Sequence, residues 1–106
     1  MKVLDESALA ALQADTLKQT ALIPWLELQP HFARGHLIAV SVQLDLIDVA
    51  IQLSIDNTQQ FQAWIDQALV IPATDAMASD WHDRNVSLWS TVVMPWVLVQ
   101  ERPPKD

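Results

Sequence analysis

The sequence contains no cysteine and only one glycine, Gly35. Without cysteine there is no thiolate for nucleophilic catalysis, for zinc or iron–sulfur ligation, or for a disulfide. With one glycine, phosphate-cradling loops of the GxGxxG or GxxxxGK type are impossible. Basic residues are scarce as well. Lys and Arg number 6 against 13 Asp and Glu, giving a net charge of −7. From His36 to Asp83 there is no Lys or Arg, yet Asp45, Asp48, Asp56, Asp66, Asp75, Asp80 and Asp83 fall in that span. Such a surface repels phosphate backbones and anionic lipid, and solubility accounts for most of these charges. No apolar run is long enough to cross a membrane. The uncharged stretch Asn85–Gln100 is interrupted by Ser87, Ser90, Thr91 and Pro95 and falls short of the roughly 20 residues required. Lys2, Asp5, Glu6 and Asp15 break up the N-terminus, so no signal peptide is expected. The expected location is the cytoplasm.

What is present is apolar: 51% of 106 residues. That length makes one domain, able to bury roughly two thirds of its unfolded surface with no metal or disulfide. The expected domain spans residues 1–101, and 102–106, with Pro103 and Pro104, reads as a disordered tail.

Periodicity orders the chain. Leu4–Thr20 reads as a weakly amphipathic helix, with Leu9, Leu12 and Thr16 on one face. Pro24 suits the first turn of a second helix, Pro24–Arg34, whose Trp25, Leu28 and Phe32 form a core stripe. Pro30 should kink that helix, and Gly35 should end it in a left-handed cap. His36–Ser41 reads as a short strand. Leu44–Ile55 is an amphipathic helix with Asp45, Asp48, Gln52 and Asp56 on its polar stripe. Asn57 with Gln60 signals the start of another helix, carrying Phe61, Trp64, Ile65 and Ala68 on its inner face. Leu69–Ala73 is a second strand, and Thr74 caps a helix Asp75–Asp83.

The most apolar stretch, Trp89–Gln100, reads as a central strand interrupted at Pro95. Helical spacing of Val86, Trp89, Val92 and Trp96 leaves a helix open as the alternative. The expected architecture is an α+β single small domain: a helix-turn-helix-like pair on a short three-stranded antiparallel sheet, with winged-helix-like topology. In that topology the last strand lies between the first two.

Five segments carry a family resemblance: TALIPWLELQPHFARG (Thr20–Gly35), LDLIDVAIQL (Leu44–Leu53), the Trp64 position, TDAMASDW (Thr74–Trp81) and SLWSTVVMPWVLVQE (Ser87–Glu101). The chain resembles a family of small bacterial proteins known only as a domain of unknown function. The resemblance covers Thr20–Glu101 and implies a stand-alone bacterial, cytosolic protein. It supplies no activity, cofactor or catalytic residue.

The residues bear on three function classes. A DNA-associated winged-helix regulator would read bases with Gln59, Gln62 and Asp66, and Gln reads adenine. That helix has no Lys or Arg for phosphate, so nucleic acid is disfavoured unless a partner supplies the charge. A small metal-dependent enzyme would need at least two of His31, His36, His82 and the aspartates to converge in a pocket; spacing alone brings no such set together, and no cofactor is expected.

The third class, a non-catalytic acidic module that binds another protein or a second copy of itself, fits best. Its expected contact surface is Asp45, Asp48, Gln52 and Asp56 together with Trp96. Five tryptophans are many for so small a core. On one regular strand, Trp89 and Trp96 would face opposite ways, exposing one unless Pro95 resets the alternation or another layer covers it. Self-association is expected through an exposed edge or the final strand.

Overall fold

The structure, a computed structural model, describes residues 5–102. It is an α+β domain of five helices and five strands: α1 (Glu6–Gln19), β1 (Ala21–Pro24), α2 (Trp25–Ala33), β2 (Leu37–Val40), α3 (Leu46–Ser54), α4 (Thr58–Asp66), β3 (Val70–Pro72), α5 (Asp75–Arg84), β4 (Ser87–Val93) and β5 (Trp96–Gln100). The strands form a single sheet in the order β1-β4-β5-β2-β3. Neighbours are antiparallel except β2 and β5, which run parallel.

This corrects the expected three-stranded antiparallel sheet and its winged-helix-like order. β2 pairs directly with β3, and the last strand adds outside that pair, along β2. Two strands arise where fewer were expected. Ala21–Pro24 supplies β1, and the stretch that holds Trp89–Gln100 folds back on itself as the hairpin β4–β5, with Met94–Pro95 as the turn and a cis peptide between them. The helix pair itself is present as α3 and α4, joined through Asp56. From residue 103 on, the expected tail lies outside the described residues.

Both faces of the sheet are covered. Trp25 and Leu28 of α2 and Trp81 and Ala78 of α5 pack on Leu88, Val97, Val99 and Leu37. On the other face Leu46, Val49 and Ala50 of α3 and Trp64 of α4 pack on Leu98, Val40 and Val70. Along β5 the side chains alternate between these two cores, which is why the stretch is apolar throughout rather than at every second residue. α1 lies against α3 and β4 with no fully buried residue, as its weak stripe foretold.

The scarcity of glycine has a backbone consequence. Helices α2 to α5 all end with a left-handed residue and the paired 6→1 and 5→2 bonds of a Schellman motif. At α2, Gly35 (φ 77) fills that place, with His36 N–H donating to His31 O and Gly35 N–H to Phe32 O. The other three ends use Asp56 (φ 58), Ala68 (φ 58) and Asn85 (φ 50). Asn and Asp tolerate this region, whereas alanine bears the full clash of its Cβ, about 1–2 kcal/mol. Ala68 is exposed, so no packing offsets that clash. Ala68→Gly is therefore expected to stabilise the protein by about 0.5–1 kcal/mol, after the extra unfolded-state freedom of glycine is deducted. Urea denaturation reads this directly, and an unchanged midpoint would contradict it.

The two outer edges are short and end in proline. Trp25 N–H donates to Val86 O across β1–β4, and Ser41 N–H donates to Leu69 O across β2–β3. By the antiparallel alternation, the groups pointing outward are those of Leu22 and Pro24 on β1, and of Val70 and Pro72 on β3. Proline has no N–H, so each open edge presents one backbone donor. The final strand β5 is paired on both sides and has no edge to offer.

Candidate functional site

The helix pair and the β3 side of the sheet enclose an almost wholly apolar surface concavity. It has a volume of 310 Å³ and is lined by Ile38 of β2, Leu53 of α3, Phe61 and Ile65 of α4, Pro72 of β3 and Trp96 of β5. Phe61 and Ile65 stand one helical turn apart and face the same way. Ile65 is 43% exposed and Trp96 36% exposed, both high for such side chains. His36 meets the Trp96 ring edge-on, with centroids 5.8 Å apart. Pro95 lies in the hairpin turn, so the chain reverses between the two strand tryptophans. Trp89 pairs with Gln100 and Trp96 with Val93, and both indoles end on the α3–α4 face. The odd separation therefore did not split them, because the alternation restarts after the turn.

A second, polar concavity of 170 Å³ continues from the first, sharing Leu53, Phe61 and Ile65 and adding Gln52, Asp56 and Gln62. The expected interaction residues thus divide. Gln52 and Asp56 line the polar end and Trp96 the apolar end of one continuous groove. Asp48 is exposed one turn before Gln52 on α3. Asp45 is half-buried and serves as the N-cap of α3, accepting from Ile47 N–H at 3.0 Å. Gln52 is also held, accepting from Asn57 Nδ2 at 2.6 Å, while Asn57 caps α4 by accepting from Gln60 N–H. Sequence reasoning missed Ile38, Ile65 and Pro72 as groove residues. Helical spacing puts Ile65 on the inner stripe, and nothing in the spacing shows that α4 leaves it part-exposed over the groove.

On the opposite face, a cavity of 260 Å³ lies between α5 and the ends of β2, β3 and β5, with Ala39, Ile71, Met77 and Val99 around it and Asp80 and Glu101 at its mouth. Its polar groups are already paired. Trp81 Nε1 donates to Glu101 Oε1 at 3.0 Å, and Arg84 bonds both Glu101 (2.7 Å) and Asp80 (2.6 Å). This network ties α5 to the end of β5. The hydrogen bonds from Arg84 hold the Asp80 carboxyl below its ordinary 3.8, against some desolvation, and Arg84 is in turn pushed up by Asp80 first and Glu101 second. A depressed carboxylate stabilises the fold above its unfolded pKa, and this is lost as pH falls through the lower folded value. Asp80→Asn is therefore expected to be less stable than the native chain near neutral pH, with the gap closing well below pH 3.8. The pair is half-exposed, so added salt should shrink the gap as well. Thermal melts at the two pH extremes check this; a gap that widens in acid would refute it.

Among the described residues, no three His, Asp or Glu side chains are placed to hold a metal ion. Neither the groove nor the opposite cavity is lined by two of His31, His36, His82 and the aspartates. The exposed face of α4 carries Gln59, Gln62 and Asp66, with Gln62 Nε2 donating to Asp66 Oδ1 at 2.9 Å and no Lys or Arg on the helix itself. No helix among the described residues is long and apolar enough to cross a membrane.

Fold and surface together define a small α+β domain with helices on both faces of a mixed sheet and an apolar groove at one edge. The chain belongs to the family described as Protein of unknown function (DUF2288), whose model matches residues 11–101. It is also similar to PA1075 of Pseudomonas aeruginosa, known from an NMR solution structure. The two are 39% identical, over 100% of this chain and 97% of that one, with a TM-score of 0.76. No curated protein matches. The resemblance carried by the ELQ…FARG and PWVLVQ segments is thereby borne out.

Proposed function

We propose that the protein is a non-catalytic, acidic interaction module of the bacterial cytosol that binds another protein through the α3–α4 groove. The observation that carries this reading is the pair Ile65 and Trp96. Both are large apolar side chains left part-exposed at one concavity; Leu22, Leu26, Val92 and Met94 are also exposed, but none of them lines that concavity. Of the surface expected from sequence, Asp48, Asp56 and Trp96 remain free to contact a partner, Gln52 lines the polar end, and Asp45 acts by holding α3. Self-association through a sheet edge is disfavoured by the single outward donor at each edge. Nucleic acid is disfavoured by the absence of Lys and Arg from α3 and α4.

The test compares the native chain with Ile65→Lys as baits in a bacterial lysate. Ile65 is a surface position, so this variant should keep its stability within about 1 kcal/mol. The expected result is one stoichiometric protein retained by the native bait and lost from the variant. Equal retention by both, or none by either, would remove the groove as the binding site.

A further inference from the structure

We infer that the segment received by this groove is a short amphipathic helix with aliphatic anchors and Lys or Arg flanking them. This rests on the interaction reading above and adds the chemistry of the partner. Three features of the groove select that chemistry.

The first is charge. The elements that line the groove, β2, α3, α4, β3 and β5 with the α3–α4 turn, carry Asp48, Asp56 and Asp66 and no Lys or Arg. Asp56 lines the polar end, Gln62 of that end bonds Asp66, and Asp48 lies one turn before Gln52. The charge near the groove is therefore anionic and gathered at its polar end, which favours a ligand apolar at its centre with cationic residues beside that centre. An acidic ligand would meet like charge at the polar end and no cation along the lining.

The second feature is the backbone. A ligand adding a strand to β3 would find one outward N–H, that of Val70, because Pro72 holds the next outward place. Strand addition draws its affinity from main-chain hydrogen bonds, and this edge supplies too few. The contact surface is instead made of side chains.

The third is shape. The apolar and polar concavities follow one another along α4 and share Leu53, Phe61 and Ile65. The nine residues of α4 span about 13 Å, the length of two and a half turns of a helix laid beside it. Anchors at i and i+4 of such a helix would sit over Ile65 and Phe61, with Trp96 closing the apolar end and Asp56 meeting a cationic flank.

The experiment is fluorescence anisotropy of labelled synthetic peptides of about 14 residues, long enough for the contact, titrated with the full chain. One peptide places two leucines at i and i+4 between lysine flanks. A second has the same leucines with glutamate flanks, and a third keeps the lysines but scrambles the leucines off one face. A fourth is a flexible extended peptide with alternating valine and lysine. The first should bind saturably, with the second and third at least about tenfold weaker and the fourth no better than the third. Ile65→Lys should abolish binding of the first. Asp48→Asn with Asp56→Asn and Asp66→Asn should weaken it several-fold and flatten its salt dependence; asparagine suits the left-handed place of residue 56. Equal binding of the first and third peptides would reduce the effect to bulk charge and overturn the inference. Preference for the second or fourth, lost with Ile65→Lys, would overturn it while leaving the groove a binding site. If no peptide binds, the inference falls, and the bait comparison then decides separately whether the groove binds a protein at all.

Discussion

Leu98→Ala is expected to destabilise the protein by about 3–4 kcal/mol, the largest effect of any conservative truncation proposed for this chain. Leu98 has no exposed surface and lies at the middle of β5, which is itself the middle strand of the sheet. It belongs to the core cluster formed by Val40 and Val70 from the sheet, Leu46, Val49 and Ala50 from α3, and Trp64 from α4. Trimming the isobutyl side chain to a methyl leaves a void between the sheet and the α3–α4 layer. The sheet fixes one side of that void by its hydrogen bonds, so the helices alone can move to fill it. Partial collapse is why the loss should exceed the transfer free energy of the missing carbons. For a domain whose whole stability is roughly 5–15 kcal/mol, this is a large fraction. Denaturant unfolding followed by tryptophan fluorescence measures it. A loss under about 1 kcal/mol would mean that the α3–α4 layer is loosely seated, which would undermine the groove built on it.

Gln100→Leu should come second, at about 2–3 kcal/mol, although it keeps nearly the same volume. Gln100 is 2% exposed, and its Nε2 donates to Ser41 O and Leu44 O, each at 2.7 Å. Those carbonyls belong to the turn that leads from β2 into α3, so one side-chain amide holds the start of α3 to the end of β5. Leucine removes both donors and leaves the two carbonyls facing a hydrocarbon. Gln100→Glu should be worse still near neutral pH, because an ionised carboxylate would be buried against two carbonyl oxygens. In acid the protonated glutamate can donate again, and the gap between the two variants should narrow. A Leu variant as stable as the native chain would show that water replaces the amide at this turn. Either substitution should also shift the acidic stripe on α3.

The helices were legible because each carries its own local signals. Asn57 and Thr74 cap α4 and α5 through the side-chain acceptances their identities suggest, and Gly35 ends α2, whereas Asp45, expected on the polar stripe inside α3, is its N-cap instead. Pro24 shows the limit of such signals. It stands at the N-cap of α2, one place before its expected first turn, because the preceding residues are committed to β1.

The strands were less legible. Ala21–Pro24 is too short for its alternation to show, and it is a strand because β4 offers it an edge. The stretch Trp89–Gln100 looked like one strand because both of its halves are apolar. A strand buried on both faces shows no period, so the hairpin could not be found by alternation.

The sequence by itself determined the composition-level exclusions, the five helices and the acidic character of the middle of the chain, because these depend on residue type and on spacing within a few turns. Only the tertiary structure decided the order of the strands, the parallel pairing of β2 with β5, and the meeting of Trp96 with Ile65 across one groove. Those choices depend on which hydrogen-bonding edge is free when a strand arrives, and on which faces two helices leave uncovered. Neither quantity is written in any local stretch of residues.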